Sequence, residues 1–486
     1  MSRVVVTLLS PFNDLEVDFF VRSQSKLRAM GHELVFLTGL KIPKLLESSI
    51  RIVGDYKSWE QVYRVPASQY QEGIENIDVP LWHRRVKHSS GCLDGSGNHE
   101  ETLSILAGVS KAMLEALEPG LVVGWSPIIP STGVLCAVAS QMGIPVSAME
   151  RGMFPETLNF DEKIRGIRNS MVENSSEEVI QALDDVSYIQ YGQSFLKSTY
   201  EEAEFTRWKK LENAGVPPAL VDCKGPRVLV LGAHDIACGF SPHDPERLAL
   251  LPGFESGFEL AKQVSRSHQG ITVFKPHPVK MWNRKDAFDS SGEDRLYVVG
   301  EGAAKDLIRW ADVVVCYGTS LEYAALALDR PLVLSGKSAL YGKGIAYEAL
   351  YSEELPSAID AAINRNDFEN RKRRLEGFCG YLMQEYLLPL KDEDLREAAA
   401  TRWCQQLADR VADRKPTREF SQVRSEFVDQ RRLFWIELTN SIYQWLGRHP
   451  VLLESVRSAN GVFSRVAKIA ARPFTRAGVA QNPQQA

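Results

Sequence analysis

Apolar and polar positions along this chain come in blocks that switch between two periods. Residues 4–9 are a β-branched apolar run, 10–13 a polar loop, and the positions up to Met30 recur at helical spacing until Gly31 stops them. Residues 33–37 then predict a second strand, so the chain opens β-α-β, the signature of a parallel sheet. Residues 60–100 read as polar and irregular, with Gly91, Gly95 and Gly97 in a loop. Helices are predicted over 100–117 and 132–142, and strands over 121–124 and 145–149. The alternation restarts at residue 226. Strands are predicted over 226–232, 271–275, 312–317 and 331–334, with helices over 257–267, 303–311 and 320–328. No fixed-period repeat runs through the chain.

At 486 residues the chain exceeds what one hydrophobic core usually supports. The expected fold class is α/β: two doubly wound, Rossmann-like domains facing a cleft, with ligands at the carboxyl ends of the strands. The expected spans are 1–205 and 206–390, connected through 194–218, where Gly215-Val-Pro-Pro218 breaks the pattern. A crossover helix over 391–413 can return to the first domain, and 414–486 form a helical C-terminal tail.

Charge changes the picture only in that tail. The whole chain carries −5, with 44% hydrophobic and 24% charged residues, which suits a globular protein and argues against a nucleic-acid partner. Residues 414–486 hold 12 Lys and Arg against 5 Asp and Glu, a net of +7 that leaves −12 for the rest. Leu452, Val456, Ala459, Phe463, Val466 and Ala470 recur at steps of 4 and 3, an apolar stripe beside the basic Arg457, Arg465, Lys468 and Arg472. Such a helix can lie on an anionic membrane surface, or dock on the protein's own body. The seven cysteines are scattered and never spaced as C-x2-C, so neither a zinc ribbon nor a disulfide scaffold is expected. The opening apolar run is too short for a signal peptide, and 121–139 holds two prolines, Pro127 and Pro130. The expectation is a cytoplasmic protein, peripheral on the inner face of the membrane through its tail.

The most informative stretch is Phe274-Lys-Pro-His-Pro278. It follows an apolar strand directly, so Lys275 and His277 emerge at the carboxyl end, on a backbone stiffened by two prolines. A Lys and a His together offer donors to a phosphate; the alternative is a rigid turn with a solvated Lys. Next comes a strand ending at Gly318, with Thr319 and Ser320 opening a helix whose free N–H groups suit an anion. Either residue can instead be a simple N-cap. Glu322 suits a ribose hydroxyl, or is a first-turn acid favoured by the dipole. In the glycine-rich loop 334–345, Tyr341 can stack on a base, or the loop is ordinary. Asp235 and Glu150 each follow a strand, one in each domain, and glycosyl chemistry uses such carboxylate pairs. For each the alternative is an ion pair or cap.

In order, Glu150-Arg-Gly-x-x-Pro155, Gly232-x-x-Asp235, Lys275-Pro-His-Pro278, Gly318-Thr-Ser-x-Glu322 and Gly336-x4-Tyr341-x-x-Gly344 resemble the bacterial capsule and lipopolysaccharide biosynthesis glycosyltransferases. Within them the chain most resembles the retaining β-Kdo transferases, over about residues 1–390. The His-Pro and Ser motifs are also similar to those of CMP-sialic acid transferases and of polymerases using CDP-linked donors. The resemblance implies a GT-B-like fold, a CMP-Kdo donor, a glycan or glycolipid acceptor, and no metal or other cofactor. It implies Asp235 as nucleophile and Glu150 as acid/base. Lys275, His277, Thr319 and Ser320 would hold the CMP phosphate, Glu322 the ribose, and Tyr341 would shape the nucleotide pocket. Arg151 would meet the sugar carboxylate, and His234 would favour the anionic form of Asp235. A UDP- or CDP-linked donor, or a non-catalytic scaffold of a polysaccharide export complex, are the alternatives.

Overall fold

The computed structural model describes residues 1–8, 13–38, 43–51, 77–90, 99–125, 127, 130–162, 170–174, 176–201, 216–217, 220, 223–233, 245–277, 290, 292–300 and 303–428. Strands β1 (Ser2–Leu8), β2 (His32–Thr38), β3 (Ser49–Arg51), β4 (Leu121–Gly124), β5 (Val146–Arg151) and β6 (Thr157–Asp161) come first. They are followed by β7 (Arg227–Leu231), β8 (Ile271–Lys275), β9 (Leu296–Val298), β10 (Val313–Cys316), β11 (Leu332–Leu334), β12 (Tyr347–Glu348) and β13 (Leu388–Pro389). One sheet runs β13-β6-β5-β4-β1-β2-β3 and the other β12-β11-β10-β7-β8-β9.

The second sheet is parallel throughout, and the first is parallel from β3 to β5. Strands covered on both faces must be apolar along their length, and Val4-Val5-Val6, Val228-Leu229-Val230 and Val313-Val314-Val315 are all fully buried. Strand order reverses between β1 and β4 in the first sheet, and between β7 and β10 in the second. These are two doubly wound units, the α/β, GT-B-like arrangement expected.

Helix Asp14–Ala29 starts on a capping box, Asn13 with Glu16, and stops before Gly31, whose φ of +84° suits only glycine. Against it lies Glu393–Arg410, the returning helix. Trp403, fully buried, meets Phe19 at 5.2 Å and Phe20 at 5.8 Å between ring centroids. Arg22 pairs with Asp18, Glu393 and Glu397, and Arg396 with Asp18.

Three particulars differ from the expectations. Within 60–100, residues 79–90 are helical: Val79–Ser90 buries Trp82 and stacks Arg85 on it, 5.0 Å from the ring centroid. The helices Glu177–Ala182 and Val186–Leu196, placed in the 1–205 span, contribute Val179, Leu183 and Leu196 to one apolar cluster with the second sheet's Leu229, Leu231 and Val273. Helix Phe368–Tyr381 crosses Val186–Leu196 so closely that a Cβ on Gly192 would sit 1.8 Å from the Glu376 carbonyl oxygen. Residues 388–389 leave the 206–390 span and pair with β6, so the return to the first sheet begins before the crossover helix.

The start of the tail docks on the first unit. Ala412 N–H donates to the Gly120 carbonyl (3.0 Å), Thr417 Oγ1 donates to Glu118 (2.5 Å), and Arg3, 2% exposed, donates to the Arg418 carbonyl (3.2 Å). Helix Phe420–Phe427 follows. Segment 411–428 therefore runs across the amino ends of β1 and β4. The amphipathic stripe at 452–470, and most of the 194–218 connection, lie outside the described residues. Among the described residues, no helix is long and apolar enough to cross a membrane.

Candidate active site

The carboxyl ends of β7, β8 and β10 meet at the reversal point of the second sheet. Gly232 N–H donates to the Lys275 carbonyl at 2.8 Å, and a Cβ there would lie 3.1 Å from both that oxygen and Pro276 Cα. Glycine thus lets the chain leaving β7 run flush against the end of β8. Tyr317, just past β10, accepts from the Ala233 N–H at its hydroxyl (3.2 Å) and is wedged between Gly257 and Gly336. Gly318 then turns the chain at a φ of +112°. Strands β8 and β10 both neighbour β7, so their ends lie within two strand spacings, roughly 10 Å.

Lys275 ends β8 with 7% of its surface exposed. Its Nζ is buried and has no hydrogen-bond partner among the described residues. Burial pushes its pKa down, and does the same to half-buried His277. A buried ammonium without a counter-charge is costly, and an anion reaching it would relieve that cost. Thr319 Oγ1 accepts weakly from the Leu321 N–H (3.4 Å), while the exposed Ser320 hydroxyl makes no capping bond. The N-cap alternative therefore fits Thr319 and not Ser320.

Glu322 is 3% exposed, 3.9 Å from Cys316 Sγ and hydrogen-bonded to Ser338. Burial pushes its pKa up to about 8, so it is a neutral acid at pH 7 and not an anion held by a helix dipole. Half-buried Tyr341 has Lys337 Nζ 5.7 Å from its ring centroid. Beside it the fully buried Lys343 donates to the Met171 carbonyl at 2.9 Å, tying this loop to the helical turn Ser170–Glu173.

On the first unit, side chains alternate across the antiparallel β5–β6 pair. Glu150 faces Asn159 and Ala148 faces Asp161, so Glu150, Asn159 and Asp161 share one face, with Arg151, Leu158 and Phe160 on the other. Half-buried Glu150 accepts at Oε1 from the Arg151 N–H (3.0 Å). Asp161 accepts from the Tyr386 hydroxyl (2.5 Å) and the Ser170 N–H (2.8 Å). Across the sheet the Arg151 guanidinium grips Glu16 twice, at 2.7 and 3.1 Å, and that partnership holds its pKa above the ordinary arginine value. The guanidinium assigned to the sugar carboxylate by resemblance thus has a carboxylate of the protein's own.

The structure places Lys275 and His277 at the carboxyl end of one strand and Thr319, Ser320 and Glu322 after the next strand but one. Asp235 and His234 lie outside the described residues. Glu16, Asn159, Asp161, Lys343 and Tyr386 went unnoticed in the sequence. One signal was available: Thr157-Leu-Asn-Phe-Asp161 alternates polar and apolar residues, the pattern of a strand with one polar face.

No protein-family model matches the chain, nor does any curated protein. Among solved structures it is similar to KpsC of Thermosulfurimonas dismutans, described as a β-Kdo 2,7-transferase: 12% identity over 84% of this chain and 99% of that one, TM-score 0.40. It is similar to the glycosyltransferase SsfS6 of Streptomyces sp. SF2575, solved with thymidine diphosphate: 15% identity over 84% and 100%, TM-score 0.29. It is also similar to the UDP-GlcNAc 2-epimerase of Methanocaldococcus jannaschii: 11% identity over 84% and 99%, TM-score 0.33. The fold assignment stands on the chain's own sheet order.

Proposed function

We propose that the chain is a GT-B glycosyltransferase that moves Kdo, or a related acidic sugar, from a CMP-linked donor to a surface glycan. The observation that carries this is the Lys275 ammonium, buried at the reversal point of the second sheet without a hydrogen-bond partner among the described residues. A phosphate monoester is a dianion that could complete it, with His277, Thr319 and Ser320 as further donors. Glu322, a neutral acid beside Ser338, suits the ribose hydroxyls. CMP then leaves as a phosphate already neutralised by protein donors.

The catalytic steps rest on the sequence motifs. Asp235 attacks the anomeric carbon as its bond to the CMP oxygen breaks. The acceptor hydroxyl, deprotonated by Glu150, then displaces Asp235, so configuration is retained. The +7 tail supports contact with an anionic membrane surface, which sedimentation with phosphatidylglycerol vesicles would detect in the full chain but not in one ending at residue 428.

Binding isotherms for CMP, CDP and UDP test the donor assignment. Above pH 7, where CMP is already a dianion, its binding should be accompanied by proton uptake and its affinity should fall as pH rises, because the phosphate raises the pKa of Lys275 and His277 from their depressed values. Binding of CMP with no proton exchange, or preference for UDP, would count against it. A sugar adduct on Asp235, sought by mass spectrometry after mixing with CMP-Kdo, tests the retaining course.

A further inference from the structure

Asn159 has no place in the mechanism above, yet its chemistry is conspicuous. The residue is 4% exposed, and its Oδ1 has no hydrogen-bond partner among the described residues. Buried amide oxygens are almost always satisfied, so an orphan at this position calls for a donor. It stands directly across the β5–β6 pair from Glu150, on the same face. Such pairs hold their Cβ atoms about 4.5–5.5 Å apart, within reach of two side chains of this length.

We infer that the Asn159 amide oxygen is the seat for the proton that Glu150 takes from the attacking hydroxyl. This rests on the glycosyl-transfer reading above. As Glu150 removes that proton, the hydroxyl oxygen's electron pair forms the new bond to the anomeric carbon. The bond from that carbon to its leaving oxygen breaks with its own pair. Glu150 is then a carboxylic acid with one O–H, and Asn159 Oδ1 accepts from it. The ionised carboxylate has no hydrogen to offer, so this bond exists only after proton transfer. A hydrogen bond made solely by the neutral form raises a carboxyl's pKa, which brings a glutamate nearer the working pH of a general base. Asn159 is thus a positioning and tuning residue, not one that touches substrate. Among the described residues, the other charged or titratable groups placed around Glu150 are Asp161 and Tyr386 on the same face, Arg151 and Glu16 across the sheet, and Lys343 at the Ser170–Glu173 turn. The Tyr386 hydroxyl donates to Asp161 and is also met by the Asn159 side chain, whose amide nitrogen is thereby turned to Tyr386 and its oxygen left over, and the Arg151 guanidinium is engaged by Glu16.

The test is the pH dependence of kcat/KM for a simple methyl glycoside acceptor at saturating CMP-Kdo, read as transferred sugar, whose acid limb reports the base of the sugar-loaded enzyme that the acceptor meets. Asn159→Leu, close in volume, should move that limb down by roughly half a unit to one unit, the size of one lost hydrogen bond. Asn159→Asp, which adds a like charge, should move it up. Thermal midpoints verify that both variants fold. Limbs unmoved in both variants, with Glu150→Gln inactive, would overturn the role of Asn159 alone. An upward shift in Asn159→Leu would also overturn it, because the amide would then be donating to the anion. Glu150→Gln at full rate removes the base, and Asn159's part with it. A wild-type protein that releases no CMP above the uncatalysed rate sinks the transfer reading together with the inference.

Discussion

Lys275 sets two quantities in opposition. As a cation whose folded-state pKa lies below its ordinary value, it binds its proton less well in the fold than in the unfolded chain. Its stability deficit is full below the folded value and disappears as pH rises toward the unfolded one. Lys275→Met should therefore raise the thermal midpoint at pH 7 while abolishing the shift that CMP gives the wild type. A lowered midpoint would mean that Nζ has a counter-charge in the free protein. Glu322 runs the other way. The unfolded chain gives up this proton near pH ~4.3, whereas the fold keeps it to about 8, so stability falls as pH rises through that window. Glu322→Gln should flatten the decline in midpoint between pH 5 and pH 8, and weaken CMP binding. The Phe274–Pro278 motif was legible because one strand and two prolines place both donors locally. The Arg151–Glu16 pair was not, because its members are 135 positions apart and meet only once the first sheet has formed.

Elements were legible where burial on both faces forces a continuous apolar run. Strands β7, β8 and β10 and helix Gly257–Ser267 fall within a residue or so of their predicted bounds. The helix Val79–Ser90 was hidden because, among its described side chains, the ones fully covered are one tryptophan and one arginine. Strand β13, two residues long and paired to a partner more than two hundred positions away, carries no local signal. The crossing of Val186–Leu196 and Phe368–Tyr381 rests on glycines. A Cβ on Gly380 would sit 2.1 Å from the Tyr188 carbonyl oxygen, and one on Gly377 2.4 Å from that of Leu183. Alanine in a helix gains about 1 kcal/mol over glycine by propensity. Forcing two backbones apart costs about 1–3 kcal/mol. Gly380→Ala should thus lower the urea midpoint in spite of its better helix propensity, and an unchanged or raised midpoint would show that the crossing can relax.

At the scale of the molecule, the sequence predicts two doubly wound units, and the sheet orders bear this out. The packing allegiance of residues 177–201 was not legible, since it depends on which apolar face finds which. The return through β13 and Glu393–Arg410 is held by aromatic burial more than by charge. Exposed ion pairs such as Arg22–Glu393 contribute little, whereas removing a buried tryptophan costs about 3–5 kcal/mol. Trp403→Ala should therefore lower the denaturant midpoint far more than Glu393→Ala, measured by tryptophan-independent circular dichroism. Comparable losses would shift the credit to the ion pairs.

The docking of residues 411–428 has a practical corollary. That segment crosses the amino ends of β1 and β4, while Glu150 and Arg151 stand at the opposite, carboxyl end of the same sheet. A tether attached just beyond residue 428 would hold the protein with Glu150 and Arg151 on the side away from whatever bears the tether. A bead, a chip or a lipid leaflet gripping the molecule there would leave the carboxyl ends of the first sheet's strands unobstructed.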